Sequence, residues 1–412
     1  MRKTHETIRT PSYYIRKRLL NNWPALFGLA IIVLAVFAAL LGYLIMPDST
    51  PSANDGAIQI QKQLPGYTTY ILKKRRNVHV EHRNVFQKMF FGQESEFTII
   101  PIKSYKFKGF NLEFVPDGRI QMPETFPLIE IVYALHDSPT DLGAGKLYFY
   151  SKDKIYYTKS NGEAAIVTQA EIANKFLNEH LEERTYILGT DKAGRDIFSR
   201  LLFGTRISLG IGLVAVVISL ILGISIGATG GFFGGATDRF VMWIMTVVWS
   251  IPSIMLVIAI SLALQSKGIW VAFVAVGLTS WVEIARVVRG QIMSIKEKTY
   301  VEAARAMGFS NFRIIFIHIL PNVLGPIIVI ATSNFATAIL TEAGLSFLGL
   351  GVQPPMPSWG MMVNEGFHAI GTQNSWHLIL FPSLAISLLV FAFNLFGNGL
   401  RDAYDPQQAL KW

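Results

Sequence analysis

The chain has 412 residues, of which 51% are hydrophobic and only 16% charged, with no cysteine and a formal net charge of +9. That balance points to a membrane protein, and the missing thiols exclude a disulfide framework, thiol catalysis and a thiolate metal site. The positive charge is explained below by membrane topology and implies no nucleic-acid partner.

Six apolar stretches reach or approach the roughly 20 residues needed to cross the hydrocarbon core. They run from Trp23 to Met46, Ile207 to Thr229, Phe240 to Leu264, Ile269 to Ala285, Val323 to Leu345 and Trp376 to Phe396. The first has the length of a span and no small-residue cleavage site, so it reads as a retained helix. Residues 1–22 ahead of it form a basic arm with Arg2, Lys3, Arg9, Arg16, Lys17 and Arg18. The loop after the fourth stretch carries Arg286, Arg289, Lys296, Lys298, Arg305 and Arg313. Both are expected on the cytoplasmic side, and the arm also suits anionic lipid. Six spans then put both termini inside, with Arg401 and Lys411 in the tail. The stretch near Lys267 and the loop from Leu348 to Ser375, which has no lysine or arginine, fall outside.

Residues 47–185, between the first two spans, turn polar with roughly balanced charge, as expected of a separately folded extracytoplasmic insert. Strand-like alternation recurs over Tyr70 to Lys73, Phe97 to Phe107, Leu112 to Val115, Leu128 to Leu135, Lys146 to Tyr150 and Lys154 to Lys159. Pro116-Asp117-Gly118 and Ser160-Asn161-Gly162 read as turns, and Gln169 to Arg184 as a helix with Ile172, Phe176, Leu177 and Leu181 on one face. The insert is therefore expected to be mixed and mainly β. Gly143-Ala144-Gly145-Lys146 fails the phosphate-loop pattern, because Thr140 and Leu147 occupy its first glycine and its hydroxyl position. His82 and His136 have no partner at metal-ligand spacing.

Residues 186–412 hold the other five spans. Gly189 and Gly194 mark turns in Leu188-Gly189-Thr190-Asp191-Lys192-Ala193-Gly194-Arg195-Asp196, and Asp196 to Arg206 is an amphipathic approach to the membrane whose arginines could reach headgroups. Gly223 and Gly227, four apart, suit close helix contact. Gly230, Gly231, Gly234 and Gly235 read as a turn before Asp238 and Arg239. Trp249 and Pro252 interrupt the third span, where Pro252 can kink the helix. The fifth carries Pro326, Asn334, Thr337, Thr341 and Glu342, whose polar groups serve either interhelical hydrogen bonds or a water-filled path.

Tyr300 to Asn322 separates the fourth and fifth spans. Tyr300 to Met307 and Phe309 to Leu320 read as two short helices about Gly308, which can take a left-handed backbone and end the first. The result is either an ordinary loop or a compact knob, with Glu302 on its polar side and Val301, Ala304, Met307, Phe312 and Ile315 offered to a partner groove.

Three sets of residues resemble a known family. Glu302-Ala303-Ala304, Gly308 and Leu320-Pro321-Asn322 are similar to the EAA loop of binding-protein-dependent ABC importer permeases, which docks on the cytosolic ATPase. The resemblance implies that Glu302, Ala303, Ala304, Gly308, Phe309, Phe312, Pro321 and Asn322 couple to that ATPase. Gly189, Thr190, Asp191, Gly194, Arg195, Asp196, Arg200 and Arg206 follow the signature of the C-type permeases of dipeptide, oligopeptide and nickel importers. Ser346 to Pro355 and Phe393 to Pro406 resemble the loop and the end of the same branch.

The implied fold is an all-α transmembrane core of six helices, like a type I ABC importer permease, with the β-rich insert between helices 1 and 2. The implied partners are a second related permease in a heterodimer, two ATPase subunits carrying ATP and Mg, an extracytoplasmic solute-binding protein and membrane lipid. No cofactor is expected on this chain, which has no complete Walker A motif, and no enzymatic activity. The implied cargo is a short peptide, with nickel or another small solute as the alternative. A secondary transporter or channel, and an anchored extracytoplasmic sensor or enzyme, are the readings from other classes.

Overall fold

A computed structural model describes residues 11–78, 80–118, 121–135, 148–265, 268–372 and 374–405. Arg2, Lys3, Arg9, His136, the Gly143 to Lys146 fragment, Lys267 and Lys411 lie outside the described residues.

Helix α1 (Pro11–Asn21) leads into α2 (Trp23–Ile45). The insert follows as β1 (Tyr67–Arg75), α3 (Val85–Phe91), β2 (Phe97–Lys108), β3 (Asn111–Pro116), β4 (Glu124–Pro127), α4 (Leu128–Val132), β5 (Tyr148–Ser151), β6 (Lys154–Thr158), β7 (Ala164–Thr168), α5 (Gln169–Lys175) and β8 (Leu181–Tyr186). Then come α6 (Ile197–Phe233), α7 (Gly235–Trp249), α8 (Ser253–Ala263), α9 (Ile269–Ile295), α10 (Thr299–Ala306), α11 (Asn311–Arg313), α12 (Leu320–Phe347), α13 (Trp359–Phe367) and α14 (Trp376–Tyr404). The chain divides into two compact units, one gathering residues up to 39, 204–364 and from 382 on, the other residues 40–203 and 365–381.

In the second unit the described strands form an antiparallel sheet of order β4-β3-β2-β1-β8 and a smaller one of order β5-β6-β7. Alternation puts Leu72, Ile102, Leu112, Phe114, Ile155 and Phe176 into one core, with α4 contributing Leu128, Ile129, Ile131 and Val132. The stretch expected as a strand from Leu128 to Leu135 is thus a short helix in its first part. All four of those apolar side chains are buried, and a short apolar run broken only by Glu130 does not distinguish a strand from a buried helical turn.

The helix expected from Gln169 to Arg184 stops at Lys175, loosens over Phe176–His180, and gives way to β8, where Ile71 pairs with Glu182. Pairing with β1 outweighs the helix preference of Glu182 and Glu183. Of the two expected turns, Ser160 to Gly162 turns the chain between β6 and β7, while the chain bends at Asp117 and Gly118 just after the Asp117 N–H donates across to the Pro101 carbonyl of β2 at 2.9 Å.

Five helical stretches among the described residues are long and apolar enough to cross a membrane: Trp23–Ile45, Ile197–Phe233, Ile269–Ile295, Asn311–Phe347 and Trp376–Tyr404. A sixth span exists if α7 and α8 are counted as one; they meet at 89° where Pro252 was expected to kink a single helix. Proline has no N–H to continue the ladder, and here the interruption is a full break. The glycine turn is also shorter than expected, since Gly230 and Gly231 lie inside α6 and only Gly234 and Gly235 leave helical geometry. Gly223 and Gly227 do face a close neighbour: a Cβ on Gly223 would sit 2.7 Å from the Ile284 Cβ, and one on Gly227 would strike the Ala285 carbonyl. Gly231 extends the row, with the Arg289 carbonyl 2.8 Å from its would-be Cβ. This glycine face lets α6 lie against α9.

Candidate functional site

The knob grows from α10. Its C-terminus closes where Gly308 adopts φ +75°, with the Gly308 N–H donating to the Arg305 carbonyl at 2.9 Å and the Phe309 N–H to the Ala304 carbonyl at 3.2 Å. A left-handed residue at this point satisfies carbonyls that the helix end would leave open. Ser310 then caps α11 by accepting from the Arg313 N–H at 3.4 Å, and a wide π turn over Ile314–Ile319 carries the chain into α12.

The two faces of the knob differ sharply. Val301 and Ala304 are buried with Ile314, Ile315, Ile319 and Val323, against Ile284, Val288 and Ile292 of α9. Glu302, Ala303, Arg305, Met307 and Phe312 are exposed, with Met307 at 65% and Phe312 at 71%. The apolar surface assigned to a partner from sequence is therefore split. Val301, Ala304 and Ile315 form the root in this chain's own core, and Met307 and Phe312 remain outside, joined by Phe316 and Ile317.

The Phe312 and Phe316 rings lie 4.4 Å apart. Phe309 is half-buried between the Arg313 guanidinium, 4.3 Å from its centroid, and the His318 ring stacked at 5.6 Å. Pro321 and Asn322 are exposed in the first turn of α12, where the Asn322 amide donates to the His318 carbonyl at 2.8 Å. An acid, a small residue and aromatic and methionine side chains are thus exposed together on a root buried in the helix core.

The second family signature has the opposite character. Arg195 Nε meets Asp191 Oδ2 at 2.7 Å, Arg200 Nη1 meets Glu365 Oε2 at 2.8 Å, and Arg200 also contacts Asp191. Arg195 reaches Glu365 at 3.3 Å and Asn54 at 2.9 Å. All four charged residues are buried, Arg200 to 1% exposure. Burial works against the Asp191 carboxylate, but the Arg200 and Arg195 charges more than offset it and hold it below the usual carboxylate range.

Arg200 is thus not available to lipid headgroups, contrary to the sequence expectation; its charge is consumed inside the fold. Asp196 caps α6 by accepting from the Ser199 N–H at 2.8 Å, and Thr190 accepts from the Gln63 N–H at 2.9 Å. Gly189 and Gly194 are both left-handed, at φ +80° and +74°. Arg206 Nε donates to the Ala39 carbonyl at 2.8 Å.

The residues read as a possible translocation path, Trp249, Pro252, Asn334, Thr337, Thr341 and Glu342, differ in exposure. Trp249 is exposed beneath the Arg286 guanidinium, 3.9 Å from its ring, and Pro252 is exposed at the break. Asn334 is buried and donates to the Ser280 carbonyl at 3.3 Å; Thr337 and Thr341 bond back to their own helix; buried Glu342 accepts from the Ser346 hydroxyl at 2.7 Å. A cavity of about 750 Å³ lies elsewhere, lined by Pro326, Ser333, Asn394, Asn398, Arg401 and their neighbours. Among the described residues no group of three His, Cys, Asp or Glu side chains could hold a metal ion.

Sequence reasoning missed Glu365, whose one signal was an acid in a loop without lysine or arginine. It also missed the bidentate pair in which Arg289 meets Asp238 at 2.5 and 2.7 Å.

The profile of the family described as "Binding-protein-dependent transport system inner membrane component" matches residues 199–409, and that described as "N-terminal TM domain of oligopeptide transport permease C" matches residues 10–65. The oligopeptide transport system permease protein OppC of Bacillus subtilis is 44% identical over 219 residues, 53% of this chain and 71% of that protein. The glutathione transport system permease protein GsiD of Pectobacterium atrosepticum is 46% identical over 220 residues, 53% of this chain and 72% of that one. The dipeptide transport system permease protein DppC of Bacillus subtilis is 43% identical over 219 residues, 53% and 68% of the two chains.

Proposed function

This chain belongs to the family of binding-protein-dependent transport system inner membrane components, and we propose that its knob from Thr299 to Ile319 is the contact through which a separate ATPase drives it. The family is one of transport permeases, and the chain acts as a membrane-spanning permease subunit of an ATP-driven importer.

The observation that carries the proposal is the division of the knob: Val301 and Ala304 are locked into the helix core while Met307, Phe312, Phe316 and Ile317 stand exposed beside Glu302 and Ala303. A force applied to that surface passes through the buried root into α9 and α12. Closure of an ATPase pair would tilt those helices between inward-open and outward-open arrangements. Coupling then requires that nucleotide and solute each distinguish the two states energetically.

Six spans, counting α7 and α8 as one, amount to half of a translocation unit, and a second related permease completes it as a heterodimer. Two ATPase subunits with ATP and Mg, and an extracytoplasmic solute-binding protein, complete the assembly. The distribution of lysine and arginine supports cytoplasmic termini, a cytoplasmic knob and an extracytoplasmic insert over residues 47–185. The names of the oligopeptide, dipeptide and glutathione relatives support a short peptide as cargo.

Phe312→Asp and Glu302→Ala test the proposal together. ATPase copurification and peptide uptake should fall while the insert melts as in the parent chain, and full uptake in the double variant would overturn the assignment.

A further inference from the structure

The insert carries a short helix whose outer surface is too apolar for water. In α3, Phe86 is 76% exposed, Val85 66%, Phe91 64% and Phe90 52%. The helix is well formed at its start, since the Asn84 side chain accepts from the Gln87 N–H at 2.8 Å and the Asn84 N–H donates to Gln87 at 3.2 Å. Its end is held by Arg83, which donates to the Phe91 and Gly92 carbonyls at 2.9 and 3.0 Å. The four exposed apolar side chains therefore sit on a fixed element, and exposed apolar surface gathered on one short helix marks an interaction surface.

The depth of that surface is set by the first span. Gly92, directly after α3, is left-handed and pressed against the last turn of α2: a Cβ there would sit 2.8 Å from the Tyr43 ring and 2.8 Å from the Ser49 carbonyl. The Gln93 N–H donates to the same Ser49 carbonyl at 2.9 Å, and the Tyr43 hydroxyl accepts from the Ser52 N–H at 2.9 Å. Tyr43 itself is buried, but it lies in the last turn of the apolar helix, where a span of this length reaches the headgroup layer. A seven-residue helix is only about 10 Å long, so α3, tied at Gly92, stays within about 10 Å of the level of Tyr43.

We infer that α3 lies in the membrane interface at the end of the first span, with Val85, Phe86, Phe90 and Phe91 in the headgroup and acyl boundary, and so anchors the insert to the bilayer surface. The helix carries Lys88 and no acid, which suits a layer of phosphates. The inference uses α2 as a span and does not depend on the transport reading.

The absence of cysteine makes a direct test available. Phe86→Cys, Phe91→Cys and, as an exposed apolar reference with no tie to the span, Ile166→Cys are labelled with a fluorophore in the full chain. The labelled chains are reconstituted in phosphatidylcholine and phosphatidylglycerol vesicles. Quenching by brominated lipid should be about threefold stronger at 86 and 91 than at 166, and quenching by aqueous iodide correspondingly weaker. Iodide quenching at 86 and 91 equal to that at 166 would overturn the inference, as would exclusion of both quenchers, which would assign the patch to a protein partner. Should a cysteine variant fail to fold, the unmodified chain is irradiated with a photoactivatable phospholipid. Adducts on residues 84–93 support the anchor; labelled spans with an unlabelled 84–93 overturn it.

Discussion

Glu302, Arg305 and Arg313 stand exposed around Gly308, whereas Asp191, Arg195 and Arg200 are buried and balanced by Glu365. An exposed charge keeps its water and costs the fold little, so it is free to serve a partner. A buried one must be matched within the chain, and losing one partner leaves the others uncompensated. The two glycine turns differ in the same sense. A Cβ on Gly308 would meet nothing within 4 Å, while one on Gly194 would collide with the Ala57 carbonyl. The knob is the surface proposed for another protein, and the buried cluster pairs its charges within this one.

Arg200→Met should be among the most damaging changes. It leaves buried Asp191 and Glu365 to share buried Arg195 and should destabilise the unit that holds them by about 3 kcal/mol, read as a lowered unfolding transition of the insert. An unchanged transition would mean that this charge pairing does not hold the unit together. Next come paired glycine substitutions: Gly194→Ala should cost about 3 kcal/mol from backbone strain and collision, and Gly308→Ala only about 1–2 kcal/mol from strain alone. Equal losses in denaturant midpoint would erase the distinction.

The third prediction concerns pH. Burial and the neighbouring Asp48 carboxylate push Asp55 up to about 6. The folded state then binds this proton more tightly than the unfolded chain, so stability is highest below the ordinary carboxylate pKa and falls as pH rises through about 6. Asp191 shifts the other way, but its contribution is lost only below the ordinary range and leaves this window clear. Between pH 5 and pH 8 the Asp55 contribution should fall by about 1 kcal/mol, against an opposite rise from His180, whose pKa burial lowers, so Asp55→Asn should gain stability relative to the parent as pH rises. A profile unchanged by that substitution would show that other groups set it. The smallest stability effect, within about 0.5 kcal/mol, is expected for Phe312→Asp. A large loss would show that Phe312 belongs to the root and not to the docking face.

How much of this was legible depended on the range of the interactions. The spans could be read because long apolar runs have few alternatives in water, although α6 begins at Ile197, where Asp196 caps it, and not at Ile207. Strands β1, β2, β3 and β6 followed from alternation between turn residues. Leu128–Val132 and β8 did not, because the first is a short apolar run that fits strand and helix alike and the second is rich in helix-favouring glutamate. Gly308 was legible because the chain must turn left-handed there. The orientation of the knob was not: an eight-residue helix has scarcely two turns, and its apolar residues lie on both sides. Glu365 joins residues some 170 positions away, a separation that local pattern cannot bridge.

The central claim is that the exposed face of the knob meets an ATPase on the inner side of the membrane. Met307→Cys, the sole thiol in its chain, measures this directly when the assembly is treated with a short bifunctional maleimide and the adducts are identified. The account predicts a crosslink to an ATPase subunit and labelling by an impermeant reagent only from the cytoplasmic face. Labelling from the opposite face, or active uptake in an assembly where position 307 crosslinks to no ATPase, would contradict it.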